Sequence, residues 1–186
     1  MKTFQSWFYN LQMISMLVLF SCNNESPQQE TAKSFYDLKK YFAQQTVFLE
    51  QHTVSLQKKI EKDGITEEKK ILKVDWQHEL APFIECDINK PSWFHSFFTD
   101  TTFAAGEMRV KYLAREKKLP VQMLMISFEL NNVKRIQIEK ESSNKYFHSK
   151  NSLLYEPQKG FSITGMQEVM LSRKTNYTIT ASILFL

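Results

Sequence analysis

The sequence predicts an α+β domain in which N-terminal helices pack on a mainly antiparallel β-sheet meander. In residues 31–51, apolar side chains recur every three to four positions, which is the period of a helix that buries one face. From Met108 onward, apolar and polar residues alternate, which is the period of a strand with one buried face. Strands joined by short turns pair with their neighbours, so this pattern favours an antiparallel sheet.

Two helices are predicted before the sheet begins. The first spans residues 31–51, and its apolar stripe contains Phe35, Leu38, Phe42 and Leu49. The second begins at Asp75, whose carboxylate can accept hydrogen bonds from the first free N–H groups of a helix. Pro82 lies inside this second helix, where it removes a donor and crowds the preceding turn at a cost of about 3 kcal/mol. A kink, or two short helices that meet near Ala81, is therefore expected.

A β-hairpin is predicted between the two helices. Its arms are residues 54–62 and 65–72, and Asp63 with Gly64 would form the turn. This pair suits a type I′ turn, because that turn requires positive φ at both central residues. Both arms are rich in charge and alternate only in part. A helical segment that is broken at Gly64 is therefore the alternative.

The remaining strands follow one another to the C-terminus. They are predicted in residues 108–112, 121–130, 133–140, 146–155, 161–171 and 177–185. The last strand alternates most clearly. One of its faces is apolar and the other carries hydroxyl groups, from Thr178, Thr180 and Ser182. This arrangement is typical of an antiparallel sheet that has one face on the core and the other in water.

The N-terminus carries a pattern typical of exported proteins. Lys2 precedes an apolar run over residues 13–20, which is shorter than the roughly 20 residues that span a bilayer. The run closes with a segment that resembles the lipobox, the lipidation site of bacterial lipoproteins, and this segment consists of Leu19, Phe20, Ser21 and Cys22. The small Ser21 gives a signal peptidase access to the backbone, and the thiol of Cys22 can form a thioether to diacylglycerol. An ordinary signal peptide and an apolar N-terminal helix are the alternatives.

Cleavage before Cys22 would divide the chain into three parts. These are a signal peptide in residues 1–21, the lipidated Cys22 with a flexible tether in residues 22–30, and one α+β domain in residues 31–186. Diacylglycerol together with an N-acyl chain such as palmitate anchors stably, since each buried methylene contributes about 0.8 kcal/mol. By resemblance to the sorting rule of enteric bacteria, Asn23 in place of Asp after the lipidated residue implies the outer membrane. The domain would then lie on the periplasmic or the cell-surface side.

The composition argues against several functional classes. The formal net charge of +4 becomes +3 when Lys2 leaves with residues 1–21, so no nucleic-acid partner is expected. With Cys22 lipidated, Cys86 has no second cysteine with which to form a disulfide. The flanking Glu85 and Asp87 would raise the pKa of the Cys86 thiol, which argues against a reactive thiolate. A buried structural role is therefore predicted for Cys86.

No catalytic or metal-binding motif is recognisable in the sequence. The four histidines lack the close spacing of a metal site, and they are His52, His78, His95 and His148. Ser162 lies between Gly160 and Gly165, but in a strand pattern rather than in a nucleophile elbow. With only 4 glycines, the chain has no phosphate-binding loop. We therefore expect no metal, no cofactor, no catalytic residue and no enzymatic activity.

The segment from Asp87 to Trp93 is the best candidate for an interaction site. It gathers a carboxylate, an amide, a cation and an indole in one loop that Pro91 stiffens, and these groups belong to Asp87, Asn89, Lys90 and Trp93. Such clusters bind peptides or protein partners. A structural turn is the alternative, because Asn and Pro have a sufficient local reason to occur in one.

Several motifs resemble small uncharacterised lipoproteins of Gram-negative bacteria. The motifs are Phe35-Tyr36-Asp37-Leu38-Lys39, Tyr41-Phe42, Asp75-Trp76, Glu79-Leu80, Asp87-Ile88-Asn89-Lys90-Pro91, Tyr155-Glu156-Pro157, Gly165-Met166-Gln167 and Tyr177-Thr178-Ile179. The resemblance covers most of the chain after Cys22. It implies a location in the cell envelope and an architecture, but it implies no activity.

Three functions compete on these observations. The favoured one is a membrane-anchored, non-enzymatic binding, accessory or scaffolding module whose partner is an envelope protein. The second is a carrier whose ligand is a lipid or another apolar molecule in a sheet-lined cavity, as in outer-membrane lipoprotein chaperones. Its candidate lining, which could equally fill an ordinary core, is Met108, Met123, Met125, Met166, Met170, Phe128 and Phe161. The third, an envelope hydrolase, has no support beyond location.

Overall fold

The computed structural model describes residues 35–186. Its helices are α1 (Leu38–Glu50) and α2 (Trp76–Ile84), and its strands are β1 (Val54–Lys62), β2 (Ile65–Ile71), β3 (Phe97–Ala104), β4 (Glu107–Ala114), β5 (Val121–Glu129), β6 (Asn132–Ser143), β7 (Phe147–Glu156), β8 (Gly160–Val169) and β9 (Thr175–Phe185). The predicted α+β class is confirmed, although the sheet dominates. Leu19, Phe20, Ser21, Cys22 and the tether lie outside the described residues. Neither of the two described helices has the length and apolar character needed to cross a membrane.

The described strands form one antiparallel sheet in the order β2-β1-β9-β8-β7-β6-β5-β4-β3. From β3 to β9 each strand lies beside the next one along the chain. The meander predicted from Met108 onward is therefore confirmed for β4 to β9, and β3 extends it. The β1–β2 hairpin joins the meander out of sequence order, because β1 pairs with β9. The two edges of the described sheet are therefore β2 and β3.

The hairpin predicted around Asp63 and Gly64 is confirmed. Both residues have positive φ, of 49° and 87°, as the predicted turn requires. The carboxylate of Asp63 also accepts a hydrogen bond from the backbone N–H of Asn176 at 3.0 Å. The turn is thereby attached to the start of β9, and the alternative of a broken helix is excluded.

The beginning of the first helix was predicted too early. Phe35, Tyr36 and Asp37 are not helical, and α1 begins at Leu38. The Asp37 carboxylate accepts a hydrogen bond from the N–H of Lys40 at 3.0 Å and so caps the helix. An apolar stripe does not reveal this boundary, because Phe35 is buried like the helical residues but belongs to the segment that leads into the helix.

The second helix begins where the sequence predicts, but it does not divide at Pro82. The Asp75 carboxylate accepts a hydrogen bond from the N–H of His78 at 3.0 Å, as an N-cap does. The expectation of two short helices meeting near Ala81 is wrong, because α2 continues through Pro82 to Ile84. Pro82 lies in the last turn, so little helix follows the position of the missing donor.

One face of the sheet carries the buried Tyr155 of β7, and we call it the inner face. The ring of Tyr155 on β7 lies 5.0 Å from that of Phe42 on α1 and 5.8 Å from that of Phe83 on α2. All three side chains are completely buried. The Tyr155 hydroxyl donates to Gln45 on α1 at 3.0 Å, and burial raises the pKa of this tyrosine. The opposite, outer face carries polar residues such as Ser152, Thr164 and Thr178.

Candidate interaction surface

The predicted segment from Asp87 to Trp93 contains two residues whose polar groups are used within the chain. The Asn89 side chain accepts a hydrogen bond from the N–H of Phe35 at 3.3 Å and donates to the carbonyl of Tyr36 at 3.0 Å. It also donates to the carboxylate of Asp87 at 3.1 Å, and Asp87 is buried. Asp87 and Asn89 therefore fix the backbone just before α1.

The other two residues of that segment face the surface. The Lys90 ammonium lies 4.1 Å from the centre of the Trp93 ring, which is a cation–π contact. Trp93 is half-buried in a short 3-10 turn, and its ring lies 6.2 Å from that of Phe97, the first residue of β3. The structure thus brings all four predicted residues into one turn. Lys90 and Trp93 lie where that turn leads into β3.

The strand β3 forms one edge of the described sheet and is exposed along almost its whole length. Within the described sheet it pairs with β4 alone, so the backbone N–H and C=O groups along its other side have no strand partner. Every residue from Phe98 to Ala104 is exposed. The strand reads Phe-Phe-Thr-Asp-Thr-Thr-Phe-Ala, and Asp100 is its one charged residue. Aromatic and β-branched residues favour extended pairing.

Each end of β3 carries an exposed aromatic side chain. Near the start, the Arg115 guanidinium lies 3.8 Å from the centre of the Phe98 ring, and Phe98 is 54% exposed. Near the end, Phe103 is 76% exposed and borders an open pocket of about 540 Å³. Met108, Phe128 and the exposed Leu130 also line this pocket. Its volume lies within the usual range of ligand pockets.

Charged residues stabilise the hairpin that β3 forms with β4. The Glu107 carboxylate lies 3.0 Å from the guanidinium of Arg109 and 3.7 Å from the ammonium of Lys134. The hydrogen bond from Arg109, followed by one from Ser127, lowers the pKa of Glu107 to about 2. Glu107 is therefore ionised at neutral pH, where it stabilises the start of β4.

A polar groove of about 740 Å³ crosses the outer face of the sheet. Its charged lining includes Glu139 and Lys150, and its hydroxyl groups include those of Ser152 and Thr164. The Ser152 hydroxyl donates to Glu139 at 2.9 Å. None of the described residues that line this groove is His or Cys.

The described residues contain no cluster of three or more His, Cys, Asp or Glu that could hold a metal ion. The ring of His52 is hydrogen-bonded to the carbonyl of Phe48 at 2.7 Å, and that of His148 is paired with Glu141 at 3.1 Å. Cys86 is buried and its Sγ donates to the carbonyl of Pro82. Burial, more than the neighbouring Glu85, raises the pKa of the Cys86 thiol to about 11.

The residues proposed to line a carrier cavity do not share one face of the sheet. Met108, Phe128 and Phe161 are on the inner face, whereas Met123, Met125 and Met166 are on the outer face. Met170 lies in the turn between β8 and β9 and is exposed. These seven side chains therefore cannot line a common cavity.

Sequence reasoning missed β3, because no strand was predicted between the hairpin that ends at residue 72 and Met108. The signal that could have found the strand is its richness in aromatic and threonine residues, followed by a tight turn at Ala105 and Gly106. Both turn residues have positive φ.

No family model, no curated protein and no solved structure matches this chain. Function must therefore be inferred from its own surface. The features that suit recognition are the unpaired side of β3, the apolar pocket beside Phe103, and the pair formed by Lys90 and Trp93. All three features lie along one edge of the sheet. Trp93 contacts the first residue of β3, and Phe103 lies near the end of that strand.

Proposed function

We propose that this chain is a non-enzymatic lipoprotein of the bacterial cell envelope that binds a partner protein along β3. The single observation that carries this proposal is the exposed edge of β3, which has one charge and, among the described residues, a row of backbone groups without a strand partner. Unpaired N–H and C=O groups on a sheet edge are satisfied best by another extended strand. The partner would therefore contribute an extended segment that lies beside β3.

The side chains of β3 indicate what such a segment contains. Asp100 is a lone carboxylate on the edge, and it is complementary to a basic residue on the partner. The pocket between Phe103, Met108 and Phe128 is suited to a large apolar side chain at one end of the segment. A single added strand makes a small contact, so the interaction belongs to the weak and transient class.

The interior supports a binding module better than a carrier. We propose that α1 and α2 form one layer on the inner face of the sheet, as their contacts with Tyr155 indicate. Phe42, Phe83 and Tyr155 fill the space at which the two helices meet the sheet, and all three are fully buried. A carrier of a lipid would need an apolar void in that place.

The proposed location rests on the sequence of residues 19–22. Thioether-linked lipid on Cys22 would anchor the chain in the outer membrane, with the domain held close by a short tether. The resemblance to small lipoproteins of Gram-negative bacteria favours the same location. Intact-mass measurement of the chain purified from bacterial membranes tests this point. A mature protein that begins at Cys22 and carries acyl mass is expected, whereas a mass without lipid would contradict the anchor.

The partner proposal can be tested with a photo-reactive amino acid on each edge strand of the described sheet. Thr101 on β3 and Thr66 on β2 are a matched pair, since both are exposed threonines on edge strands. Full-length chains carrying the probe are expressed in the bacterium and irradiated. A discrete protein adduct at Thr101 that is absent at Thr66 is expected. Equal adducts at both positions, or none at Thr101, would contradict binding through β3.

A second experiment tests the strand geometry itself. A synthetic peptide that copies the cross-linked region of the partner is added to the purified chain, and hydrogen exchange is followed by mass spectrometry. Slower exchange in residues 97–104, without slowing in residues 65–71, is expected because only the first edge would acquire new backbone hydrogen bonds. Protection that is confined to the polar groove would instead place the partner on the outer face.

A further inference from the structure

A second exposed surface lies at one end of the sheet, where two turns meet. The turn between β6 and β7 exposes Tyr146, and the turn between β8 and β9 exposes Met170 and Leu171. The N–H of Met170 donates to the carbonyl of Tyr146 at 2.8 Å, so the two turns are joined. The Asn144 side chain also accepts a hydrogen bond from the N–H of Tyr146. We call residues 144–147 and 169–174 the tip.

Leu171 is an unusual residue for its position in the tip. Its φ of 64° lies in the left-handed region, where Gly and Asn are favoured over residues with a bulky side chain. Its side chain is 99% exposed, so no packing within the domain compensates for that conformation. The side chain is therefore available for a contact outside the domain, as that of Leu130 is at the other end of the sheet.

The charges of the tip all have the same sign. Lys145, Arg173 and Lys174 are exposed, and neither turn contains an acidic residue. The Lys145 ammonium lies 5.6 Å from the centre of the Tyr146 ring, so cation and aromatic group are adjacent. The Glu141 carboxylate, on the strand behind the tip, is paired with His148. Three exposed cations thus lie beside the apolar side chains of the tip, and Glu61 and Asp63 share the groove that Lys174 lines.

We propose that the tip binds the surface of a bilayer that contains anionic lipids. Met170, Leu171 and the Tyr146 ring would enter the interface between headgroups and acyl chains, where tyrosine is favoured. The three cations would contact the lipid phosphates, which attract basic residues that lie close to the surface. A membrane fits better than a protein partner because exposed apolar side chains beside basic ones complement an anionic lipid surface. This contact is separate from β3 and from the anchor proposed at Cys22.

Fluorescent labels at two leucines test the proposal in the full-length chain. Leu130 and Leu171 are both exposed leucines in tight turns with positive φ, and they lie at opposite ends of the sheet. Each is replaced by Cys in a separate chain and coupled to an environment-sensitive dye. Cys86 is buried and does not compete for the dye. Cys22 is replaced by Ser in both chains, so it can neither take the dye nor carry a lipid that brings the chain to the vesicles.

The labelled chains are added to vesicles of phosphatidylglycerol and phosphatidylcholine whose acyl chains carry bromine, a quencher. The Leu171→Cys label is expected to shift to shorter wavelength and to lose most of its fluorescence, while the Leu130→Cys label changes little. Replacement of Lys145, Arg173 and Lys174 by Glu should abolish the response at position 171, as should vesicles of phosphatidylcholine alone.

Three results would overturn the proposal. The first is equal quenching at both positions, which would show that any exposed label reaches the lipid. The second is an unchanged response after the three basic residues are replaced by Glu, which would show that their charge does not contribute to binding. The third is a label at position 171 that stays in water on vesicles but is shielded in whole envelopes, which would assign the tip to a protein partner. Loss of adducts at Thr101 would leave all these outcomes unaffected.

Discussion

The two edges of the described sheet, β2 and β3, differ sharply in charge although both end the same sheet. Residues 65–71 contain Glu67, Glu68, Lys69 and Lys70 in succession, whereas residues 97–104 contain Asp100 as the one charged residue. Charged residues on an edge discourage the addition of another strand, because a partner must desolvate them. The β2 edge is thus protected by its sequence, and the β3 edge is left able to pair. Folding requires no such asymmetry, so the difference supports the proposal that β3 is open for recognition.

Transferring the charges of β2 to β3 should produce the largest change. With Thr99→Glu and Thr101→Lys, the new charges would have to be desolvated by an added strand, and the edge would resemble β2. The adduct formed by a photo-reactive residue at position 103 should disappear. Because both substituted residues are exposed, the free energy of unfolding should change by no more than about 0.5 kcal/mol. If the adduct still forms in the well-folded variant, the charge pattern does not explain the difference between the two edges.

The next largest effect concerns the segment that leads into β3. Asn89→Ala removes the hydrogen bonds to Phe35, Tyr36 and Asp87, and it should lower the free energy of unfolding by about 2 kcal/mol. Denaturant unfolding measures this change. In contrast, Lys90→Ala is exposed and should leave stability almost unchanged. If Asn89→Ala were neutral for stability and abolished the adduct at Thr101, Asn89 would belong to the binding surface instead.

A smaller effect is expected when the protected edge is opened. Glu67→Thr and Lys69→Thr remove two exposed charges from the middle of β2 and leave residues of high strand propensity. Sedimentation velocity at increasing protein concentration should then show larger species than the wild type forms. Exchanging the two residues, as Glu67→Lys with Lys69→Glu, keeps the charges and serves as the control. Similar self-association in the control would show that charge on β2 does not protect that edge.

The smallest effect concerns the hairpin that presents β3, and it is a dependence on pH. The pKa of Glu107 is lowered in the folded chain from 4.5 to about 2, so its ionised form contributes stability at pH values above the unfolded pKa. This contribution should be lost as the pH falls from about 4.5 through about 2. Glu107→Gln should remove that part of the acid dependence, as thermal unfolding over this range would show. Identical pH profiles for both chains would mean that Arg109 and Lys134 do not stabilise the carboxylate.

Features that depend on neighbouring residues could be predicted from the sequence. The Asp63-Gly64 turn and the cap at Asp75 are local, because each needs a few residues in a fixed backbone conformation. The alternation from β4 to β9 likewise reports directly which side chains are buried. The prediction that Asp87 and Asn89 belong to an interaction site remains untested. The structure places both of their side chains in contacts within the chain.

Features that depend on distant residues could not be predicted. The choice of edge strands follows from β1 pairing with β9, which places Leu56 opposite Ile183, and no local pattern encodes that pairing. The hydrogen bonds of Asn89 reach residues that lie 53 and 54 positions earlier in the chain. The first helix was predicted to begin too early for a related reason. Phe35 is buried by contacts with Phe97 and Tyr112, which are distant in the sequence, and not because it belongs to the helix.

The alternation of turns in the meander determines how the molecule stands on a surface. Successive antiparallel strands turn at opposite ends, so the tip lies at one end of β8 while Leu130 and the pocket beside Phe103 lie at the other. A strand of 10 residues spans about 33 Å, which sets the height between the two ends. A chain resting on its tip would hold its strands upright and offer the pocket well above the lipid headgroups. Its partner would then be met in the aqueous compartment, away from the lipid headgroups.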